Sequence, residues 1–383
     1  DIMNFYQIPA EKIDVVYQGC DPQYSEIVSE QKKKQVKEIY QLPEKYILNV
    51  GSIETRKNLM LALEALKDIP ADIHLVAVGK KTPYVDSLME YANENGISIV
   101  GDAPIFLAWD SADVWCNQDL FLLDSKGYPT EVAGVPPDYF SATGQLWGNP
   151  LYNWKKHKDT GYAWWIERVK YQLTITDFLR IDHFRGFDKY WAIPYGEETA
   201  VNGKWKKAPG RDFFKHLEAA LGKDMHIIAE DLGEIDEPVI KLRDAFNLPG
   251  MKILQFGFEN INDNDFLPHN FIKNCVCYTG THDNDTTLGW YTKVHEAAKD
   301  KLRRYYSTDA SDICWVMIRA CFGSVANMAI VPMQDVLCLG SEARLNTPGV
   351  GEGNWAWRFK KDVLSDHLAA RLAETVNLYG RDQ

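Results

Sequence analysis

Three carboxylates stand where an apolar strand ends. Asp182 closes Asp177-Phe178-Leu179-Arg180-Ile181-Asp182, with His183, Arg185 and Gly186 close behind it. Glu230 follows His226-Ile227-Ile228-Ala229, and Asp283 follows Cys275-Val276-Cys277-Tyr278 by way of Thr279-Gly280-Thr281-His282. Charge at the end of a buried strand is costly to desolvate, so its repeated use points to chemistry. Two carboxyl groups facing one another across a pocket suit glycosidic-bond chemistry. The ionised one attacks or stabilises the anomeric carbon, and the protonated one donates to the leaving oxygen. Arg180 lies two residues before Asp182 on the same strand face, and a cation so placed should lower the Asp182 pKa and keep it ionised. Glu230 has no adjacent cation and an apolar approach, which fits the acid. Asp283, beside His282, is a third group able to bind sugar hydroxyls. Retaining chemistry expects the Asp182 and Glu230 carboxyls roughly 5–5.5 Å apart.

Strands that each deliver a carboxylate at the C-terminal end describe the active face of a (β/α) barrel. After residue 96 the apolar runs are Ile97–Phe106, Asp177–Asp182, His226–Glu230, Ile253–Phe258, Cys275–Thr279 and Met328–Val331. The expectation is an α/β fold with an incomplete (β/α)8 barrel over residues 97–383, short of the eight strands a closed barrel needs. Between them, Pro136 to Trp154 carries Pro136-Pro137, Gly144, Gly148 and Pro150, and reads as a loop over the site. It presents Tyr139, Phe140, Trp147, Tyr152 and Trp154 beside Asp138 and Gln145, and an aromatic face edged by polar groups matches a sugar ring. Trp147 is expected to contact substrate. Trp154, Trp164 and Trp165 are expected in the core.

Residues 1–96 follow another pattern. Tyr46–Val50 and Ile73–Val78 read as continuous apolar strands, and Asn58–Leu66 and Val85–Asn95 as helices. That alternation indicates a partial doubly wound parallel sheet, and a domain boundary near Gly96. Arg56 and Lys57 form a basic pair ahead of the first helix.

Composition is that of a globular protein, 45% hydrophobic and 25% charged. A net charge of −12 argues against nucleic acid or an anionic membrane as partner and is compatible with a neutral polysaccharide. No apolar run reaches membrane-spanning length and no signal-peptide pattern opens the chain, so a cytoplasmic protein is expected. Seven cysteines without regular spacing fit reduced thiols. No Cys/His spacing suggests zinc and no glycine-rich loop suggests a nucleotide, so neither metal nor cofactor is expected.

Arg180-Ile181-Asp182-His183-Phe184-Arg185-Gly186, Ala229-Glu230-Asp231-Leu232-Gly233 and Thr281-His282-Asp283-Asn284-Asp285 resemble three signature regions of the 4-alpha-glucanotransferases of glycoside hydrolase family 77, the amylomaltases. The resemblance runs from about Gly101 to the C-terminus. It takes in Val135-Pro136-Pro137-Asp138-Tyr139-Phe140, Gly144-Gln145-Leu146-Trp147-Gly148-Asn149-Pro150 and Gly353-Asn354-Trp355-Ala356-Trp357-Arg358. It implies Asp182 as nucleophile, Glu230 as general acid/base and Asp283 as transition-state stabiliser. Arg180, His282, Asp102, Asp138, Tyr139, Gln145, Trp147 and Asn354 would bind α-1,4-glucans and maltooligosaccharides. Separately, Asn49-Val50-Gly51-Ser52 with Arg56-Lys57-Asn58, and Lys12 to Asp21, resemble part of a family 4 nucleotide-sugar glycosyltransferase. The chain opens on Asp1, mid-pattern, and a spliced sequence explains two partial families better than an evolved fusion. Three readings stay open: a glucan transglycosylase, a nucleotide-sugar-dependent glycosyltransferase, and an inactive truncated fusion. Oligomeric state is not encoded in any of these features.

Overall fold

The computed structural model describes residues 97–381 apart from 138–140, 234, 260–264, 351 and 360–362. Strands Tyr46–Val50 and Ile73–Val78, the pair Arg56 and Lys57, and site candidates Asp138 and Tyr139 therefore lie outside the described residues.

The described strands, in chain order, are β1 (Val100–Pro104), β2 (Glu131–Val135), β3 (Gln145–Pro150), β4 (Phe178–Asp182), β5 (Lys189–Pro194), β6 (Lys204–Lys207), β7 (Ile227–Ala229), β8 (Gly250–Ile253), β9 (Cys275–Tyr278) and β10 (Met328–Ile330). Six of them pair in parallel, in the orders β1-β4-β7 and β8-β9-β10. The two groups meet where Ala229 N–H donates to the Pro249 carbonyl at 2.9 Å. The result is an α/β fold.

Side chains divide by parity, as strand geometry requires. Ile228, Met251, Ile253, Val276 and Tyr278 form one apolar cluster on the inner face. Leu179, Ile181, Ile227 and Ala229 face the other way, into a cluster with Trp165, Phe213 and Phe214 of helices Ala163–Gln172 and Arg211–Leu221. Cys275 and Cys277 pack outward against helix Ile313–Phe322. Burial on both faces explains why β7 and β9 are unbroken apolar runs.

Two expectations need correction. The fourth apolar run was placed at Ile253–Phe258, but the strand is Gly250–Ile253 and Phe256–Glu259 is helical. A short apolar run is ambiguous between strand and buried helix. Here β8 is in register with β9 from Gly250 opposite Cys275, and Phe258 turns into the helical core beside Tyr305 and Tyr306. Second, Gln145–Pro150 is no loop. It is the edge strand of a four-stranded antiparallel sheet, β3-β2-β5-β6, and an edge is where Gly148 and Pro150 are tolerated. Tyr152 does not face a sugar either: it is 1% exposed, with its hydroxyl donating to the Ile105 carbonyl at 2.6 Å. Trp165 is 1% exposed, and Trp154 and Trp164 pack partly buried against the same core.

Candidate active site

Strand register builds the charged cluster. Asp102 on β1 lies directly beside Arg180 on β4, and Arg180 and Asp182 share a strand face. Arg180 accordingly donates to both Asp102 oxygens, at 2.7 and 2.8 Å, and to Asp182 Oδ1 at 2.8 Å. Its Nε–H points at the Met251 sulfur, 3.4 Å away. The guanidinium is thus a buried clamp holding two carboxylates in fixed positions.

Glu230 lies just past β7, and its backbone N–H donates to the Ile181 carbonyl at 3.1 Å, which sets it beside Asp182 on the neighbouring strand. Among the described residues its carboxyl accepts only backbone hydrogen bonds, from His183 N–H at 2.7 Å and Leu232 N–H at 3.1 Å. His183 aims that N–H by adopting a left-handed backbone, φ 54°, which non-glycine residues enter rarely. Desolvation, and then the Asp182 charge, push the Glu230 carboxyl up to about 8, against the opposing pull of Arg180. Burial thus favours the protonated form of Glu230.

The expectation that Arg180 would set Asp182 below its ordinary range is overturned. Desolvation raises the Asp182 pKa, Asp102 and Asp283 add to the rise, and Arg180 offsets it without reversing it. Nearly half of the Asp182 side chain, 46%, stays open to the site. The contrast between the two carboxyls survives, because only Glu230 lacks a cation in contact.

On the far side, His282 Nε2 lies 3.4 Å from Asp283 Oδ2 and 3.9 Å from Asp102 Oδ2, joining the third strand end to the first. Sequence reasoning missed what fixes Asp283: Asn346 Nδ2 donates to its carboxylate, and Arg344 donates to its backbone carbonyl at 2.7 Å. The signal available was a charged and amide-bearing loop, Arg344-Leu345-Asn346-Thr347, a short way beyond β10. Trp355, also missed, lies 5.2 Å ring to ring from His282.

Asp102, Arg180, Asp182, Glu230, His282 and Asp283 are thus brought together. Trp147 on β3 meets the His183 ring edge to face at 4.9 Å and donates to Gln145 Oε1 at 3.1 Å, so both reach the rim of the site. Asn354 is engaged with its own loop: its Oδ1 accepts from Thr347 N–H at 2.9 Å and its Nδ2 donates to the Val350 carbonyl at 2.7 Å. A cavity of about 450 Å³ adjoins the cluster on the Asp102–His282 side, with Tyr278, Arg344 and Trp357 in its wall. Asp182, Glu230 and Asp283 do not line it. Among the described residues no three His, Cys, Asp or Glu side chains converge as a metal site, and no helix is long and apolar enough to cross a membrane.

The parallel strands thus present an arginine-clamped aspartate beside a buried glutamate. Residues 82–364 match the family model described as 4-alpha-glucanotransferase, so the chain belongs to that family. It is 53% identical over 294 residues to a 4-alpha-glucanotransferase of Synechocystis sp., covering 76% of this chain and 58% of the relative. It is 49% identical over 294 residues to one from Thermus thermophilus, covering 75% and 59%. Among solved structures it resembles an amylomaltase from Streptococcus agalactiae in complex with acarbose, with TM-score 0.75, 41% identity, and coverage of 77% of this chain and 60% of that one. The chain therefore spans about 60% of the length of these relatives. These comparisons lend no support to a family 4 glycosyltransferase in residues 1–96.

Proposed function

We propose that the chain transfers a maltooligosaccharyl segment between α-1,4-glucans by a retaining mechanism. The observation that carries this reading is the pairing of Asp182, held by Arg180, with Glu230 on the neighbouring strand end, whose carboxyl burial pushes up to about 8. The Asp182 carboxylate attacks the anomeric carbon, while Glu230 gives its proton to the departing glycosidic oxygen. A glycosyl ester on Asp182 results. An acceptor sugar hydroxyl then attacks the same carbon, its proton returns to Glu230, and Asp182 leaves. Asp283, fixed by Asn346, and His282 hold hydroxyls of the reacting ring. Asp102 acts by fixing Arg180, and Asp138, Tyr139, Gln145, Trp147 and Asn354 contribute to glucan binding around it. The mechanism calls on no metal or nucleotide.

In this reading the six parallel strands belong to an incomplete (β/α)8 barrel that lacks its first strands, in a catalytic unit over residues 97–383, with residues 1–96 as a separate partial α/β unit. Cysteines without regular spacing favour the cytoplasm. The test is incubation with maltotriose. Glucose and longer maltooligosaccharides should appear, and Asp182→Asn should abolish both. Product formation that depends on a nucleotide sugar and releases no glucose would overturn the proposal.

A further inference from the structure

A second cavity, of about 190 Å³, lies beyond the catalytic carboxylates and is lined by Arg185, Lys189, Trp205, Ile235 and Asp236. It brings together four elements. Arg185 is in the 3-10 turn Phe184–Phe187 that follows β4, and Asp236 caps helix Glu237–Ala245 after β7. Lys189 opens β5 and Trp205 sits on β6. Arg185 and Asp236 are thus three and six residues beyond Asp182 and Glu230, on the loops that leave the two catalytic strands.

The polar groups here are not fully used. The Arg185 side chain is 8% exposed, lies 4.4 Å over the Trp205 ring and donates from Nη2 to Asp236 Oδ2 at 3.2 Å. Lys189 also pairs with Asp236 Oδ2. The Asp236 side chain makes no capping bond to its own helix. That leaves Arg185 Nε and Asp236 Oδ1 buried without a partner among the described residues. Buried donors and acceptors are nearly always satisfied, so a pair of orphans beside a cavity marks room for a ligand atom or water.

The chemistry selects the ligand. An anion would accept from Arg185 Nε but face the Asp236 carboxylate. A cation would satisfy Asp236 and face two positive groups. A hydroxyl accepts from Arg185 and donates to Asp236 at once, with no charge to desolvate. At roughly 30 Å³ per water, the volume holds about six waters, enough for part of a polyhydroxylated ring.

We propose that Arg185, Asp236, Lys189 and Trp205 form a sugar-binding subsite, separate from the reacting centre, for a glucosyl unit of a longer α-glucan. The subsite deepens the glucan-transfer reading and rests on it. The test is calorimetric titration of the full chain with maltotriose and maltoheptaose, turnover being blocked by Asp182→Asn. Arg185→Lys keeps the charge and removes the orphan donor. It should raise the maltoheptaose Kd about tenfold or more while leaving maltotriose binding unchanged. Trp205→Leu, which removes a cavity wall, should give a smaller loss with the same dependence on length, and serves if Arg185→Lys fails to fold. Equal losses for both sugars, or none for either in a protein with unchanged melting, would mean that the orphan pair holds a bridging water only and would overturn the subsite. If the Asp182→Asn parent binds neither sugar, the glucan-transfer reading falls, and the subsite with it.

Discussion

The ends of β4 and β7 and the end of β9 both gather carboxylates, yet they supply them with different donors. At β4 and β7, Glu230 has two backbone N–H donors and, among the described residues, no cation in contact, and its carboxyl is pushed up to about 8. Beside the end of β9, Asp335, on the short helix Met333–Val336 after β10, is fully buried but accepts from the Thr279 hydroxyl at 2.6 Å, the Thr287 hydroxyl at 2.7 Å and the Thr287 N–H at 2.7 Å. Asp285 accepts from Lys293 and Ser341, each at 2.7 Å. Even the residue after Glu230 follows the second pattern. The Asp231 side chain is 6% exposed, pairs with Arg243 and accepts from Met251 N–H at 2.7 Å. Gly250 allows this approach, since a Cβ there would collide with the Asp231 carboxylate. Burial alone does not mark the catalytic group. Burial raises the Asp335 and Asp231 carboxyls as well as Glu230; what sets Glu230 apart is that, among the described residues, it accepts from backbone N–H groups alone.

The comparison is tested most severely at Glu230. Glu230→Gln keeps the shape and removes the proton, and should lower transfer by about 10²–10⁴-fold. Its effect on stability should have the opposite character. The folded value, about 8, stands above the ordinary 4.5, so the stability that this group contributes is present below the lower value and lost as pH rises through the upper one. The slope is at most about 1.4 kcal/mol per pH unit in that window, and less for a half-buried group. Denaturant unfolding at pH 5 and pH 8 should show wild type losing stability while Glu230→Gln loses less. Equal pH dependence in the two proteins would place Glu230 in the same class as Asp335.

Asp335→Ala should do the reverse. It strips partners from two buried threonines, Thr279 and Thr287, both 0% exposed. Unfolding free energy should fall by about 3 kcal/mol, with activity per folded molecule reduced far less than by Glu230→Gln. A loss of activity matching Glu230→Gln, with stability intact, would erase the distinction between the two regions.

Much of this contrast was legible beforehand. Apolar runs that end in a carboxylate located β4, β7 and β9, and the absence of a cation beside Glu230 pointed to its raised pKa. Two things were not legible. The net rise at Asp182 comes first from desolvation, with Asp102 and Asp283 adding to it from segments far away in sequence. The sheet β3-β2-β5-β6 was hidden because its edge strand carries Gly148 and Pro150, residues that locally indicate a loop and become tolerable only once an edge is available. Asn346 was overlooked for a similar reason: its partner Asp283 is 63 residues away.

The smallest effect should come from the best-supplied carboxylate that still reaches solvent. Lys293 is 63% exposed and Asp285 10%, so the pair is half in water. Desolvation tends to raise the Asp285 carboxyl, but Lys293, Ser341 and the Thr286 N–H outweigh it and leave the pKa lowered. A lowered folded pKa means stability present above the ordinary carboxylate value and lost as pH falls through the folded one. Lys293→Met removes one donor of three and keeps the aliphatic stem. It should reduce stability at pH 7 by no more than about 1 kcal/mol, with a smaller difference from wild type in acid, where Asp285 takes up a proton in both proteins. Urea unfolding at the two pH values checks it. A loss as large as that of Asp335→Ala would show that Asp285 depends on one cation after all, and that the number of donors does not separate structural carboxylates from the catalytic one.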